Sequence, residues 1–341
     1  MYCFGLFVHW GIYSVPTWTI SGTQYAEWYW YRQHNPANAS SAVWTHHRET
    51  YGEGVFYDDF LPMFTADAFN AEEFVGNRNS LNYGPKRDLI AEIMLAANNT
   101  QPQLHRGVIT FSNAYNASAP PEPYTSYVEV DDFLQDIMKP QIEALFYQYE
   151  TDILWCDVGG PTWFNRAKQE GRQVVANARC GANYLDFDVS VARDQEGHLR
   201  KWESSEGSDP YSYGYNRDTP YEDYRNTTYI LHLLVEIVSK NGNYLIDIGP
   251  TANGTIVPPL RSSLLMVGEW LKIGGDAIYG TKYWYVAAED DDLRFTTKDD
   301  AFYILSLVCP EGGVISTKLP LPLKGGDKAT FLGILICNDR V

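Results

Sequence analysis

An aspartate follows one short apolar run, in a placement typical of catalytic residues. Asp157 ends the segment DILWCD (residues 152–157), and the two glycines after Val158 leave space around its carboxylate. A carboxylate in such a place can be the nucleophile of a retaining glycoside hydrolase, where it attacks the anomeric carbon of a sugar. An aspartate at a strand end can equally cap a helix. Taken alone, Asp157 fits both interpretations.

Two other segments combine polar groups with aromatic rings. His9 ends the apolar run that begins at Phe4, and an imidazole there can bind a substrate hydroxyl, although a structural histidine is more common. In AEWYWY (residues 26–31), Glu27 stands beside Trp28. A carboxylate next to an indole can bind sugar hydroxyls while the ring stacks on the apolar face of the sugar. The alternative for this segment is an aromatic cluster under a loop.

The elements that must position these residues alternate between two kinds. Short apolar runs predict strands over residues 4–8, 108–111, 153–156, 174–178 and 244–248. Longer runs predict helices over residues 88–98, 131–149, 224–239 and 260–273, the second one kinked at Pro140. Such alternation predicts parallel strands joined by helices, in a barrel or a doubly wound sheet. No GxGxxG follows a strand, and polar residues end the strands, where barrel enzymes place their chemistry.

From about Tyr283 the segments become short, strand-like and rich in turns. We therefore predict two domains, a barrel-like domain over residues 1–282 and a truncated β-sandwich over residues 283–341. The second domain is called truncated because a full β-sandwich takes about 100 residues, more than residues 283–341 supply.

Composition excludes several function classes. The net charge of −17, from 26 basic and 43 acidic residues, argues against nucleic acid or an anionic membrane surface as a partner. No apolar run reaches the length of a transmembrane helix. The five cysteines are widely spaced, which indicates neither a zinc site nor a disulfide framework.

The compartment is indicated only weakly. Five Asn-x-Ser/Thr triplets favour secretion, and they begin at Asn38, Asn98, Asn116, Asn226 and Asn253. No signal peptide is visible, and the opening on a strand-like run suggests that an N-terminal stretch is absent.

Longer motifs complete the pattern. They are FGLFVHWG (residues 4–11), YDDF (57–60), GPKRD (84–88), KWESS (201–205), YSYGYNR (211–217) and VSKNGNYLIDIGPTANGT (238–255). Together they resemble the α-L-fucosidases of family 29 of the glycoside hydrolases over most of residues 4–300. The resemblance implies a (β/α)8-like barrel with a C-terminal β-sandwich. It also implies hydrolysis of terminal α-linked L-fucose with retention of configuration and without a metal or other cofactor.

The resemblance also implies roles for single residues. Asp157 matches the nucleophile. Fucose-contacting positions are matched by His9, Glu27, Trp28, Trp155 and Arg179, and Tyr213 stands where the family places an aromatic ring against the fucose methyl group. Such a set suits fucose, which offers three hydroxyls to polar groups and one methyl group to an apolar wall.

The sequence departs from the family at two places. The strand ending in KHHDGF is absent, since Phe74-Val75 passes straight to Gly76-Asn77. We therefore expect a barrel incomplete by one strand, open between the strands at Phe4 and Val108. The pair His46-His47 lies upstream of YDDF and is not accepted as a replacement for the missing histidines.

The second departure concerns the general acid. Counting from the flanking motifs places it at Ser190 or Val191, neither of which can deliver a proton. Asp188 lies nearby, and Asp194 and Glu196 are the candidate acid/base residues. Glu203 is expected to be structural.

The prediction is a retaining, exo-acting glycoside hydrolase that releases terminal α-linked L-fucose from glycoconjugates or oligosaccharides. Its partners are fucosylated glycans, and its location is extracellular or lysosome-like. The alternative is a catalytically impaired fucose-binding homologue, or an incomplete gene product of the same family. The missing strand and the missing acid favour this alternative.

Overall fold

The computed structural model describes most of the chain. The described residues are 3–23, 25–33, 41–69, 85–110, 132, 135, 139, 143, 145, 149, 151–156, 164–177, 179, 188–190 and 201–333. Most of the helix predicted over residues 131–149 lies outside this part. Asp157, Asp194 and Glu196 lie outside it as well.

Seven short strands in the described part of the chain form two parallel sheets. One sheet has the order β1-β7-β6-β5 and the other the order β2-β3-β4. The strands are β1 (Phe4–Val8), β2 (Gly107–Thr110), β3 (Ile153–Cys156), β4 (Val175–Ala176), β5 (Asp188–Ser190), β6 (Trp202–Gly207) and β7 (Gly242–Ile248). The predicted strands 4–8 and 153–156 have the observed bounds, and the other three are shifted at one or both ends. Neither β5 nor β6 is predicted by the pattern of apolar residues.

The two faces of the four-stranded sheet differ because side chains alternate along each strand. Trp202, Tyr244 and Ile246 pack on one face against a helix. Phe7 and Leu245 lie on the other face, where they cluster with Trp155 from β3 of the second sheet. The inner faces of the two sheets therefore meet at Trp155.

The described helices are α1 (Tyr29–Gln33), α2 (Ser41–Tyr51), α3 (Leu89–Thr100), α4 (Phe164–Gln169), α5 (Thr227–Ser239) and α6 (Pro258–Gly274). Helices α3, α5 and α6 pack on the outer faces of the sheets. Helix α5 begins at an Asn226 cap whose side chain accepts a hydrogen bond from Tyr229 N–H, and its fully buried Ile230 and Leu234 recur at helical spacing. Helix α3 packs Ile90 and Met94 onto the outer face of β3.

A three-stranded antiparallel sheet follows the helices. Its order is β10-β9-β8, with β8 at Lys282–Glu289, β9 at Leu293–Thr297 and β10 at Phe302–Ser306. Arg294 on β9 pairs with Glu236 on α5 and attaches this sheet to the preceding part of the chain. An α/β part is thus followed by a small β part, as expected, and the division at residue 282 stays a prediction.

The predicted opening of the barrel concerns the edges of the two parallel sheets. Among the described strands, β1 pairs only with β7 and β2 pairs only with β3. The departure from the family falls within residues 70–84, which lie outside the described part. Barrel closure and the missing strand therefore stay predictions.

The cysteines correct one interpretation. Cys156 and Cys309 each take part in a disulfide bond, whereas Cys3 is a buried thiol outside the disulfides. The inference of no disulfide framework from spacing was wrong, because pairing depends on which distant segments the fold brings together. Separately, no helix within the described ranges is long and apolar enough to cross a membrane.

Candidate active site

His9 stands at the point where β1 ends beside β7. Its backbone N–H donates to Ile248 O at 3.1 Å, which continues the ladder one residue past the strand. Its Nδ1 lies 2.8 Å from Oδ1 of Asp247, whose side chain is fully buried, while the His9 side chain is 13% exposed. The imidazole is thus fixed on one side by a carboxylate from the neighbouring strand.

Tyr213 lies against His9, with the two ring centroids 5.4 Å apart. It belongs to the loop after β6, and Glu27 holds this loop in place. Oε2 of Glu27 accepts hydrogen bonds from Ser212 Oγ at 2.9 Å and from Gly214 N–H at 3.0 Å. Glu27 therefore supports the residues on both sides of Tyr213.

Two glycines allow this loop to approach the end of β7 and the ring of Tyr13 closely. A Cβ on Gly249 would lie 2.1 Å from the backbone nitrogen of Tyr215, and a Cβ on Gly214 would lie 2.4 Å from the ring of Tyr13. Real Cβ atoms do not come so near to other heavy atoms. The glycine of the Ile248-Gly249-Pro250 turn is thus required for clearance.

Phe7 and Trp155 together connect His9 with Arg179. Phe7 packs on His9 and on Trp155, each with ring centroids 5.1 Å apart. The guanidinium carbon of Arg179 lies 5.3 Å from the Trp155 ring centroid. A continuous series of contacts therefore joins Tyr213, His9, Phe7, Trp155 and Arg179.

Trp28 and the proposed catalytic carboxylates complete the predicted set. The Trp28 side chain is 44% exposed and meets the Tyr31 ring edge-on at 6.0 Å, next to Glu27 in the chain. Asp157 directly follows Cys156, the last residue of β3. As Asp157, Asp194 and Glu196 lie outside the described residues, their roles stay predictions.

Three buried carboxyl groups lie at or near this site. Burial raises the pKa of Glu203 to about 7 and the pKa of Asp247 to about 7, in the second case against the lowering effect of His9. Burial likewise raises the pKa of Asp209 to about 6. Asp209 lines a cavity of about 200 Å³ that also borders Tyr25 and Tyr213.

Asp247 is the residue that the sequence analysis missed. It was included in a strand predicted over residues 244–248, with no role assigned to its carboxylate. A lone acid two residues before a Gly-Pro turn, in an otherwise apolar strand, was the available signal.

The histidine pair that was set aside belongs to a separate cluster. His47 is buried, with Nε2 2.8 Å from Val55 O and Nδ1 3.1 Å from Tyr29 Oη. His46 stacks on Trp18 at 3.8 Å between centroids. Within the described part of the chain, no cluster of His, Cys, Asp and Glu side chains could hold a metal ion.

Comparison with known proteins decides the family. A family model described as Alpha-L-fucosidase matches residues 2–77 and 74–276. The chain belongs to the α-L-fucosidase family. It is 31% identical to the tissue alpha-L-fucosidase of Rattus norvegicus and 29% identical to that of Homo sapiens, in each case over 97% of this chain. These alignments cover 80% and 79% of the two relatives.

Solved fucosidases share the fold. The alpha-fucosidase of Thermotoga maritima, in complex with a mechanism-based inhibitor, superposes with a TM-score of 0.75 at 31% identity. The match covers 90% of this chain and 82% of that one. The same enzyme in complex with fucose gives a TM-score of 0.73.

The matches also show where this fucosidase homologue differs from its relatives. The alignment with the rat protein spans 385 positions, more than the 341 residues of this chain, so the relative carries segments that this chain lacks. The family match is split at residues 74–77, where the sequence analysis found the KHHDGF segment absent.

Proposed function

We propose that this chain is a retaining, exo-acting α-L-fucosidase that releases terminal α-linked L-fucose from glycoconjugates or oligosaccharides. The observation that carries this proposal is the convergence of His9, Tyr213, Trp155 and Arg179 in a chain of the fucosidase family. Imidazole and guanidinium groups suit the hydroxyls of a deoxy sugar, and the aromatic rings suit its apolar face and methyl group.

The proposed mechanism has two displacement steps. The Asp157 carboxylate attacks the anomeric carbon, a glycosyl–enzyme ester forms, and the bond to the leaving oxygen breaks. Asp194 or Glu196 gives that oxygen its proton and then takes a proton from water, which displaces Asp157 and releases fucose. Glu203 is not assigned to this step, because Trp155 and Asn243 donate hydrogen bonds to its two carboxylate oxygens.

The proposal includes a fold and a location. The two parallel sheets belong to a (β/α)8-like barrel over residues 1–282 that is incomplete by one strand, followed by a partial β-sandwich over residues 283–341. Mammalian relatives named tissue and plasma fucosidases support a secreted or lysosome-like location. The sequon residues Asn98, Asn226 and Asn253 are exposed, as glycosylation requires. Fucosylated glycans are the proposed partners, and the net negative charge disfavours nucleic acid.

A second candidate is a catalytically impaired fucose-binding homologue or an incomplete gene product. The split of the family match at residues 74–77 favours it, since histidines that the family resemblance implies for sugar binding belong to the missing segment. The comparisons give it no better support than the active enzyme.

Turnover of an aryl α-L-fucoside, measured beside a fucose titration, tests the proposal. An aryl leaving group needs little protonation, so activity depends on the nucleophile more than on the acid. We expect wild-type turnover, its loss in Asp157→Ala, and formation of β-L-fucosyl azide when azide is added to that variant. The exposed Asp291→Asn is the matched control. Turnover that survives Asp157→Ala contradicts the assignment, and fucose binding without wild-type turnover supports the impaired homologue.

A further inference from the structure

The His9–Asp247 pair is built into the register of two strands. Phe7 on β1 is paired with Asp247 on β7, and His9 N–H continues this ladder by donating to Ile248 O. The two side chains lie on the same inner face, which brings Nδ1 within 2.8 Å of Oδ1. The backbone pairing of β1 and β7 therefore fixes the positions of both side chains.

The burial of the Asp247 carboxylate is energetically unfavourable. Its side chain is fully buried, and its Oδ2 has no hydrogen-bond partner among the residues that the structure describes. A buried carboxylate needs a cation or several donors to remain charged. Within the described part of the chain, the titratable groups that act on it electrostatically are His9, Glu27, Tyr13 and Tyr213. Of these groups only His9 can carry a positive charge.

We propose that Asp247 is a positioning residue that holds His9 for binding a fucose hydroxyl. Given that Nδ1 faces Asp247, the tautomer with hydrogen on Nδ1 is favoured, and Nε2 on the opposite side of the ring is the nitrogen that meets the sugar. The carboxylate also stabilises the imidazolium form, in which Nε2 donates to the hydroxyl oxygen. In the neutral form Nε2 accepts from the hydroxyl instead. The assignment rests on the proposed function, in which His9 contacts fucose.

A purely structural Asp247 makes a different prediction. Its substitution would change stability and the titration of His9, which lies 2.8 Å from the carboxylate, but would leave the fucose affinity of the folded protein unchanged. A positioning Asp247 alters fucose binding and the titration of one named histidine together. The two roles are therefore separable by measurements on the same variants.

Two substitutions remove different parts of the contact. Asp247→Asn keeps an oxygen that can accept from Nδ1–H but removes the charge, while Asp247→Ala removes both. We expect Asp247→Ala to weaken fucose binding roughly 10- to 100-fold, as the loss of a hydrogen bond to a charged group predicts. The effect should be larger on KM than on kcat, because the sugar contact is already made before reaction. Asp247→Asn should retain most of the affinity.

Nitrogen-15 NMR of labelled histidine tests the pair directly. His9 is assigned by comparison with His9→Gln. In wild type we expect Nδ1 of His9 to carry hydrogen at neutral pH. We expect the midpoint of its titration to fall by about 1 pH unit in Asp247→Asn, since the charge that favours the imidazolium form is gone. Glu236 on α5 is a partly buried carboxylate paired with Arg294 on β9, and Glu236→Gln is the control that should leave this midpoint unchanged.

The outcomes separate this inference from the proposed function. An unchanged His9 titration in Asp247→Asn overturns the inference, whether or not the chain is active. Equal losses of fucose affinity on Asp247→Ala in wild-type and His9→Gln backgrounds also overturn it, because Asp247 would then act without His9. A wild-type chain that binds no fucose contradicts the proposed function, and the NMR titration still tests the pairing. If Asp247→Ala does not fold, Asp247→Asn decides.

Discussion

The indole N–H of Trp155 donates a hydrogen bond of 2.7 Å to Oε1 of Glu203, from β3 of one parallel sheet to β6 of the other. Asn243 donates to the second carboxylate oxygen at 2.8 Å. The strand that leads to Asp157 is thereby attached to the strand that leads to the Tyr213 loop. Glu203 has this connecting function, which agrees with its expected structural role.

Trp155→Phe should lower the unfolding free energy by more than the loss of packing contacts alone would. Glu203 Oε1 would remain buried without its donor, a change that costs about 1–3 kcal/mol of unfolding free energy. Urea unfolding measures this quantity. Trp270→Phe, in the outer core, is the control, because it leaves no comparable acceptor stranded. Equal losses in the two variants would show that the Trp155 hydrogen bond contributes nothing.

Glu203 should also make stability depend on pH. Burial raises its pKa from 4.5 to about 7, so the folded protein holds this proton more tightly than the unfolded chain. Its stabilising contribution is fully present below about pH 4.5 and is lost as the pH rises through about 7. Asp247 and Asp209 act in the same sense, and His46, His47 and His232, whose pKa is lowered by burial, act in the opposite sense.

The measured quantity is therefore a difference between two proteins. Unfolding free energies of wild type and Glu203→Gln are compared at about pH 5 and about pH 7.5. We expect wild type to lose stability relative to Glu203→Gln on going to the higher pH, because the glutamine does not titrate. If the difference in unfolding free energy between the two proteins is the same at both pH values, or if wild type gains relative stability at the higher pH, the raised pKa of Glu203 is contradicted.

Substitution of Glu27 should affect substrate binding through the Tyr213 loop. Glu27→Ala removes the acceptor for Ser212 Oγ and Gly214 N–H, so we expect KM for an aryl fucoside to rise roughly tenfold or more, as two lost hydrogen bonds predict. Ser212→Ala removes one of these bonds and should give a smaller increase. Steady-state kinetics of both variants provide the check, and equal KM values in Glu27→Ala and wild type would rule out this support.

The antiparallel sheet should depend on one ion pair with α5. Arg294 is 10% exposed and Glu236 is 19% exposed, so Arg294→Met leaves a largely buried carboxylate with Lys240, at 2.5 Å, as its remaining cation among the described residues. We expect a loss of about 3 kcal/mol in unfolding free energy. The exposed pair Lys282–Asp299 is the control, and Lys282→Met should have little effect. Similar losses in both variants would contradict the importance of burial.

The sequence predicted those strands whose apolar residues form an uninterrupted run. Residues 4–8 and 153–156 are such runs, and both have the observed bounds. Strand β6 was missed because its inward residues are Glu203, Ser205 and Gly207, which leave Trp202 as its single large apolar side chain. A strand whose inner face is polar because it lines a site lacks the pattern by which strands are predicted.

From the sequence, only those candidate site residues were predicted that lie in motifs resembling the family. His9, Tyr213, Trp155 and Arg179 were named from the sequence, and the structure joins them by ring and cation contacts. The role of Asp247 was not predicted, because its partner lies 238 positions away and the pairing depends on the register of β1 and β7. The sequence of neither strand specifies with which residues of the other strand it pairs.

The absence of a side chain at Gly249 matters for judging whether other members of the family have an intact site. Its missing side chain is what allows Tyr215, two residues after Tyr213, to lie against the end of β7. A homologue with alanine here can retain every residue that we predict to contact the sugar and still have the loop of Tyr213 displaced outward. Surveys of such homologues that score contact residues alone would count it as intact, so this glycine belongs among the positions to be inspected.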